Sequence, residues 1–427
     1  MAHVSCGRAR SFPGRVAWAF VLAASLGLAG CMGTESRVSS RKVSRPQAAP
    51  VEPSYAAGVT PPALPMQALA AGQPLGSTTI GTGPVKVALI LPMSAAGQGS
   101  GVAQSMRNAA EMAVSEFQGQ DITLLVKDDS GTPEGARTAA QQALAEGAEL
   151  IIGPVFSGSV QAAAQVARER GKSVIGFSSD ASVATRGVYL LSFLVQEEVD
   201  RIVAFAAAQG RRSIAALIPE TQYGRVAEAR LQQAAARQGL RIAALEYYPA
   251  GQPQVGVQRL SRVIGGAAPQ ADALFIPDNG DGLPAVAQAL QMAGFDPARV
   301  KPLGTGVWNE PRIFALPALQ GGWFAAPDNR GFEAFAERYR ARFNADPIRL
   351  ATLSYDAVTL AAALARMQGA QAFSDAMLTN PAGFAGADGV FRFNPDGTNA
   401  RALTVQEIRN GTAVAISGAP RTLVAGN

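Results

Sequence analysis

The chain is expected to fold as a two-lobed α/β protein, each lobe a parallel sheet wrapped by helices. Three features lead there. From Val85 onward, short apolar runs alternate with amphipathic helical stretches. Runs such as Leu150-Ile151-Ile152 are continuous, as strands buried on both faces require. The alternation also occurs twice, in two sets of similar size that part near residue 195.

In the first set "VKVALILPM" (85–93) reads as a strand, and "GVAQSMRNAAEMAVSEF" (101–117) as a helix. Val102, Met106, Ala109, Ala110 and Ala113 share one face of that helix. Then come "ITLLVKDD" with "PEGARTAAQQALAEG", "ELIIGPV" with "SGSVQAAAQVARERG", and "SVIGFSSD". The second set follows "FLVQEEVDRIVAFAAAQG" and runs from "SIAALIPE" to "VKPLGTGVW". Helices and a polar hairpin, "GVFRFNPDG", complete both lobes. The module takes residues 84–427, with one lobe at about 84–195 and 328–390 and the other at about 196–327 and 391–427.

The N-terminal part has another character. Arg8, Arg10 and Arg15 precede a 15-residue apolar run, Val16 to Gly30, too short to span a bilayer comfortably. Residues 1–30 read as an export signal, and Leu28 to Cys31, "LAGC", resembles a lipoprotein signal. That resemblance implies a lipidated Cys31 at the mature N-terminus, holding the protein to a membrane. Met32 rather than an aspartate follows, which implies the outer membrane before the inner. An ordinary signal with an incidental cysteine, or an uncleaved anchor, fits the same residues. Residues 31–83 read as a Pro-rich tether, with seven prolines between 32 and 83 and no periodicity.

Composition excludes several function classes. Hydrophobic content of 48% against 16% charged residues suits a globular chain. Of the net charge of +5, three charges lie in residues 1–30, so 5 − 3 = +2 remains, and no basic cluster argues for nucleic acid. The only histidine is His3 and the only cysteines are Cys6 and Cys31. A chain cleaved before Cys31 has no Ser-His-Asp triad, no Cys-His pair and no zinc site built on nitrogen and sulfur. No enzyme, cofactor or metal is expected, although carboxylate pairs and Lys or Tyr chemistry remain open. "GQGSGVA" (97–103) fails as a dinucleotide loop, because Val102 stands where the third glycine belongs.

In open α/β sheets, ligands lie at the carboxyl ends of strands, near helix N-termini. Here those ends are "PMSAAGQGSG", "GPVFSGS" and "FSSDAS". Ser157, Ser159, Ser178 and Ser182 are therefore candidate ligand contacts; helix capping is the plainer role for each. In the second set Tyr223 either closes over a ligand or packs with its tip outward. Asp278 and Asn279 either reach into the cleft or form an Asx turn. Trp308 and Trp323 line the cleft or the sheet.

From 84 to 427 the succession of units resembles the type I periplasmic-binding-protein fold, as in branched-chain amino-acid binding proteins. The resemblance implies two lobes joined by three crossovers and closing on a ligand. It makes Ser157 the serine that holds an amino acid's carboxylate, Ser182 a second hydroxyl, and Tyr223 a second-lobe aromatic. The acid that pairs with the ligand's ammonium in those proteins is absent from "KPLGTGVWN", near Gly306, and Asp278 or Asp180 would have to replace it. The lipoprotein signal, the tether, the missing acid and "FLVQEEVDRIVAFAAAQGRRSIAALIPETQYG" resemble the penicillin-binding-protein activator lipoproteins, although an added helical-repeat domain is lacking. The expected function is therefore a non-enzymatic, outer-membrane-anchored activator of a peptidoglycan synthase, with a penicillin-binding protein as partner. The alternative is a receptor for an ABC importer, with an ABC permease and a small polar solute such as an amino acid as partners.

Overall fold

A computed structural model describes residues 78–118, 120–420 and Leu423. The export signal, Cys31 and nearly all of the tether lie outside the described residues.

The first lobe is built by β1 (Thr78–Ile80), β2 (Val85–Leu91), α1 (Gly99–Glu116), β3 (Ile122–Asp128), α2 (Pro133–Ala145), β4 (Leu150–Ile152), α3 (Ser157–Glu169), β5 (Ser173–Gly176) and β6 (Val188–Leu190). Its sheet has the order β1-β3-β2-β4-β5-β6, parallel except for β1, which runs antiparallel along β3. Among the described residues, Thr78–Ile80 already join this sheet, ahead of the expected boundary at 84. Alternate residues of β2 face opposite ways, as the two-residue period of a strand dictates. Val87, Leu89 and Leu91 join the core beneath α1, while Ala88 and Ile90 join the core beneath α2 and α3.

The second lobe follows with α4 (Val195–Ala208), β7 (Ser213–Pro219), α5 (Gln222–Gln238), β8 (Arg241–Tyr248), α6 (Gln254–Ile264), β9 (Ala273–Phe275), α7 (Leu283–Met292), β10 (Lys301–Gly304), the short α8 (Pro311–Phe314) and β11 (Trp323–Ala326). The chain returns to the first lobe with α9 (Asn329–Phe343), α10 (Ala351–Gln368) and the short α11 (Asp375–Leu378). An antiparallel sheet of β12 (Phe384–Gly386), β13 (Gly389–Phe393) and β14 (Asn399–Arg401) comes next. The last strands, β15 (Thr404–Arg409) and β16 (Thr412–Ser417), go back to the second lobe and pair antiparallel beyond β11. That lobe's sheet has the order β16-β15-β11-β10-β9-β7-β8.

The chain therefore crosses between lobes three times, after Leu190, after Ala326 and after Arg401. The sequence boundary at 390 falls too early for the last crossing. Phe391 and Phe393 are buried in the first lobe's core, where they pack on each other and on Phe384, and so hold β13 and β14 to that lobe.

Side chains of the third crossing tie it to the other two. The Ser192 carbonyl accepts from Asn399 Nδ2 at 2.9 Å and from Arg401 Nε at 3.0 Å. Thr404 Oγ1 donates to the Ala326 carbonyl at 2.8 Å, and Gln406 Nε2 to that of Pro327 at 3.2 Å. Because Phe391 anchors this arrangement, Phe391→Ala is expected to cost about 3–5 kcal/mol, read as a lower midpoint in urea denaturation of the purified protein.

Candidate functional site

α3 opens from the loop at the carboxyl end of β4, in the first lobe's parallel sheet. At Gly153 the chain takes φ +89° and passes so close to β2 that a Cβ would lie 2.0 Å from the Ile90 carbonyl oxygen, so only glycine fits. The chain then turns into α3 through Phe156, which occupies the N-cap position and makes no side-chain cap. Ser157 and Ser159 are therefore the first and third residues of the helix and not its cap. Both are buried. Phe156 lies over the neighbouring loop, where a Cβ on Gly131 would come within 3.2 Å of its ring.

Behind the first turn of α3 lies Asp129, which is fully buried. Its Oδ1 accepts from Gly131 N–H at 2.9 Å. Its Oδ2 and Ser159 Oγ are both buried and make no hydrogen bond in this structure. The hydroxyl is nevertheless near enough to favour the ionised carboxyl. Burial pushes Asp129 up to about 6, against the Gly131 N–H and with help from Asp128.

Ser178 and Ser182 belong to one turn after β5. Ser178 Oγ accepts from Asp180 N at 3.1 Å, and Asp180 Oδ1 accepts from Ser182 N at 3.0 Å. Ser178 is buried, while Ser182 is exposed. Asp180 is thus a cap for the short helical turn that follows it.

The second-lobe candidates turn their polar tips inward. Tyr223 OH is hydrogen-bonded to Thr305 Oγ1 at 2.7 Å, in a buried contact. Asp278 Oδ2 accepts from Tyr248 OH at 2.6 Å, and its Oδ1 from Asn279 N at 2.8 Å. Burial raises the Asp278 pKa, against the hydrogen bond from Tyr248. Asn279 Oδ1 accepts from the backbone of Asp281 and Gly282, both at 3.1 Å, which is the Asx turn that leads into α7. Trp308 is wholly buried in the second lobe's core, where its Nε1 donates to the Ile276 carbonyl at 3.1 Å. Trp323 is also buried, with Lys301 Nζ 4.9 Å from its ring centre.

The loop at Gly306 itself carries no acid, but Glu198, in the first turn of α4, stands against it. Its Oε2 accepts from Gly306 N at 2.9 Å. A Cβ at 306 would lie 2.4 Å from Oε1, so the carboxyl fills the space of the missing side chain. Burial pushes Glu198 up to about 8, opposed only by the Gly306 N–H. The signal was present in "FLVQEEVDRI": Glu198 shares the helix face of Val195, Val199 and Ile202. An acid on an apolar stripe needs an inward partner. Glu198 also lines a narrow hinge pocket with Phe193, Leu194, Asn399, Arg401 and Leu403. Arg401 is buried there, its guanidinium 4.9 Å from the ring centre of Phe193 and 5.5 Å from that of Phe391. Among the described residues no cluster of His, Cys, Asp or Glu is arranged to hold a metal ion.

A family model described as periplasmic binding protein matches residues 84–413. The chain belongs to that family. This periplasmic binding protein is also similar to solved structures of solute receptors, at identities that speak for the fold alone. A branched-chain amino acid ABC transporter protein from Rhodopseudomonas palustris has a TM-score of 0.64 at 20% identity, covering 80% of this chain and 98% of its own. A solute-binding protein from R. palustris in complex with benzoate has a TM-score of 0.58 at 19% identity, covering 80% of this chain and 98% of its own. A branched-chain amino acid substrate-binding protein from Streptococcus pneumoniae in complex with isoleucine gives 0.56 at 19%, covering 79% and 99%. No curated protein sequence matches the chain.

The buried carboxyl of Glu198 sets a pH dependence. Its folded pKa lies above the ordinary 4.5, so the folded state holds the proton more tightly. Its contribution is fully present below about 4.5 and is lost as pH rises through about 8. Glu198→Gln is therefore expected to raise the melting temperature relative to the parent above about pH 8, with the gain shrinking toward about pH 4. Thermal unfolding across that range checks it.

Proposed function

We propose that this periplasmic binding protein is the receptor of an ABC importer, closing its lobes on a small polar solute that carries a carboxylate. The observation that carries the reading is the start of α3. A helix of 13 residues begins after β4 with no side-chain cap, and its first turn is Ser157-Gly158-Ser159. Such a turn offers backbone N–H groups, the Ser157 hydroxyl and the positive end of the helix dipole to an anion. Glu198 supports an amino acid over a simple acid, because its carboxyl lies at Gly306, where the resemblance to amino-acid binders expects the partner of an ammonium. Ser178 and Ser182 fit as neighbours on the first-lobe side. The permease is the protein partner, and lipidated Cys31 holds the receptor at the periplasmic face of a membrane.

The activator reading has one observation in its favour. Tyr223, Asp278 and Asn279 are all engaged within the second lobe. An activator of a peptidoglycan synthase would work through an outer face and need no solute.

Thermal unfolding with a panel of amino acids and aromatic carboxylates separates the two. A bound solute at 100 times its Kd is expected to add about 2.7 kcal/mol, seen as a higher melting temperature. No shift with any solute would favour the activator. For the solute that binds, Ser157→Ala is expected to weaken binding by about 1–3 kcal/mol with the fold intact. An unchanged Kd by calorimetry would remove Ser157 from the site.

A further inference from the structure

Asp129 and Ser159 hold two buried polar atoms whose hydrogen-bonding capacity is unused, at the root of the helix turn just described. A buried oxygen without a partner is costly, and two side by side are uncommon in a folded core. The pair is not needed to shape the loop. Asp129 Oδ1 and the backbone carbonyl of Asp129, which accepts from Thr132 N at 2.9 Å, already do that.

We infer that Asp129 is a positioning residue of the α3 site, acting through Ser159 to set how strongly the first turn of the helix holds a carboxylate. Protonated, Asp129 donates a hydrogen bond from Oδ2 to Ser159 Oγ, which fixes the Ser159 rotamer and leaves the helix N-terminus electrostatically unopposed. Ionised, it sets a negative charge beside that N-terminus, where it competes with the solute's carboxylate for the same positive end of the dipole.

The surroundings sharpen this balance. Asp128, next in the chain, accepts from Ser94 N and Ser130 N and adds negative charge. Lys127 is ion-paired with Glu146 at 2.6 Å. Glu134, in the first turn of α2, is exposed. Within α3 itself the charged residues, Arg168 and Glu169, stand at the opposite end of the helix. With burial holding Asp129 near 6, the change of charge falls in the range where a periplasmic protein works.

The inference rests on the receptor reading, and the test separates the two. The purified full chain is titrated calorimetrically with benzoate and with leucine between about pH 5 and about pH 8. Ionisation of Glu198 would strengthen leucine binding and weaken benzoate binding at higher pH. Glu198 is common to the parent and Asp129→Asn, so the ratio of their affinities at each pH isolates Asp129. For a carboxylate that binds, the ratio of parent to Asp129→Asn affinity is expected to fall roughly threefold to tenfold as pH rises through Asp129. Asp129→Asn keeps an acceptor for Gly131 N–H and offers Ser159 an uncharged donor. It is expected to lose the part of the pH dependence that Asp129 causes.

Ser159→Ala is the second variant, should Asp129→Asn not fold. Without the hydroxyl that favours the ionised carboxyl, the midpoint of the wild-type profile should move to higher pH. A parent-to-Asp129→Asn affinity ratio that does not fall as pH rises, or a Ser159→Ala midpoint that does not move, overturns the inference and leaves the receptor reading standing. Binding of neither solute at any pH overturns both.

Discussion

The Ser192 carbonyl holds the hinge together. Three crossings run side by side between the lobes, where no sheet is present to satisfy their backbone groups. Ser192, on the first crossing, accepts from Asn399 and Arg401, just before the third. Thr404 and Gln406, at the start of β15 just past the third crossing, reach the end of β11 and Pro327 at the second. Each lobe has its own sheet and core, so these side chains are what make two folded bodies one hinged molecule.

A second polar chain runs alongside. Asp388 is ion-paired with Arg349 at 2.6 Å, and Arg349 Nη1 donates to Asn329 Oδ1 at 3.2 Å. Asn309 of the second lobe donates to the same Asn329 oxygen at 2.7 Å. The hinge is thus rich in buried charge. Arg401 is driven toward its neutral form by burial, and Asp356, also buried, is pushed up to about 7. Burying such groups costs more than their pairing returns unless geometry demands them. Here the demand is the satisfaction of crossing backbone by side chains long enough to reach it.

The candidate site shares this logic. Its first-lobe half is built from backbone and the Ser157 hydroxyl at the start of α3, and its hinge acid comes from α4 rather than from the loop at Gly306. A carboxyl from one element fills the space left by a glycine on another. The loop at Gly306 itself carries no acid, and α4 brings one to it.

The pattern of continuous apolar runs and helical faces by itself determined two α/β lobes and buried central strands such as β2 and β4, because these follow from period. The Asx turn at Asn279, one of two readings offered for it, was likewise legible, being a relation between residues close in the chain. Ser157 and Ser159, by contrast, stand inside α3 and do not cap it. Tertiary structure alone decided the rest. That Tyr223 meets Thr305, that Tyr248 meets Asp278 and that Glu198 meets Gly306 depends on strands and helices 30 to 108 residues apart. The third crossing was misplaced for a similar reason. "GVFRFNPDG" reads as a hairpin in either lobe, and only the space beside Phe384 and Tyr189 decides where Phe391 and Phe393 are buried.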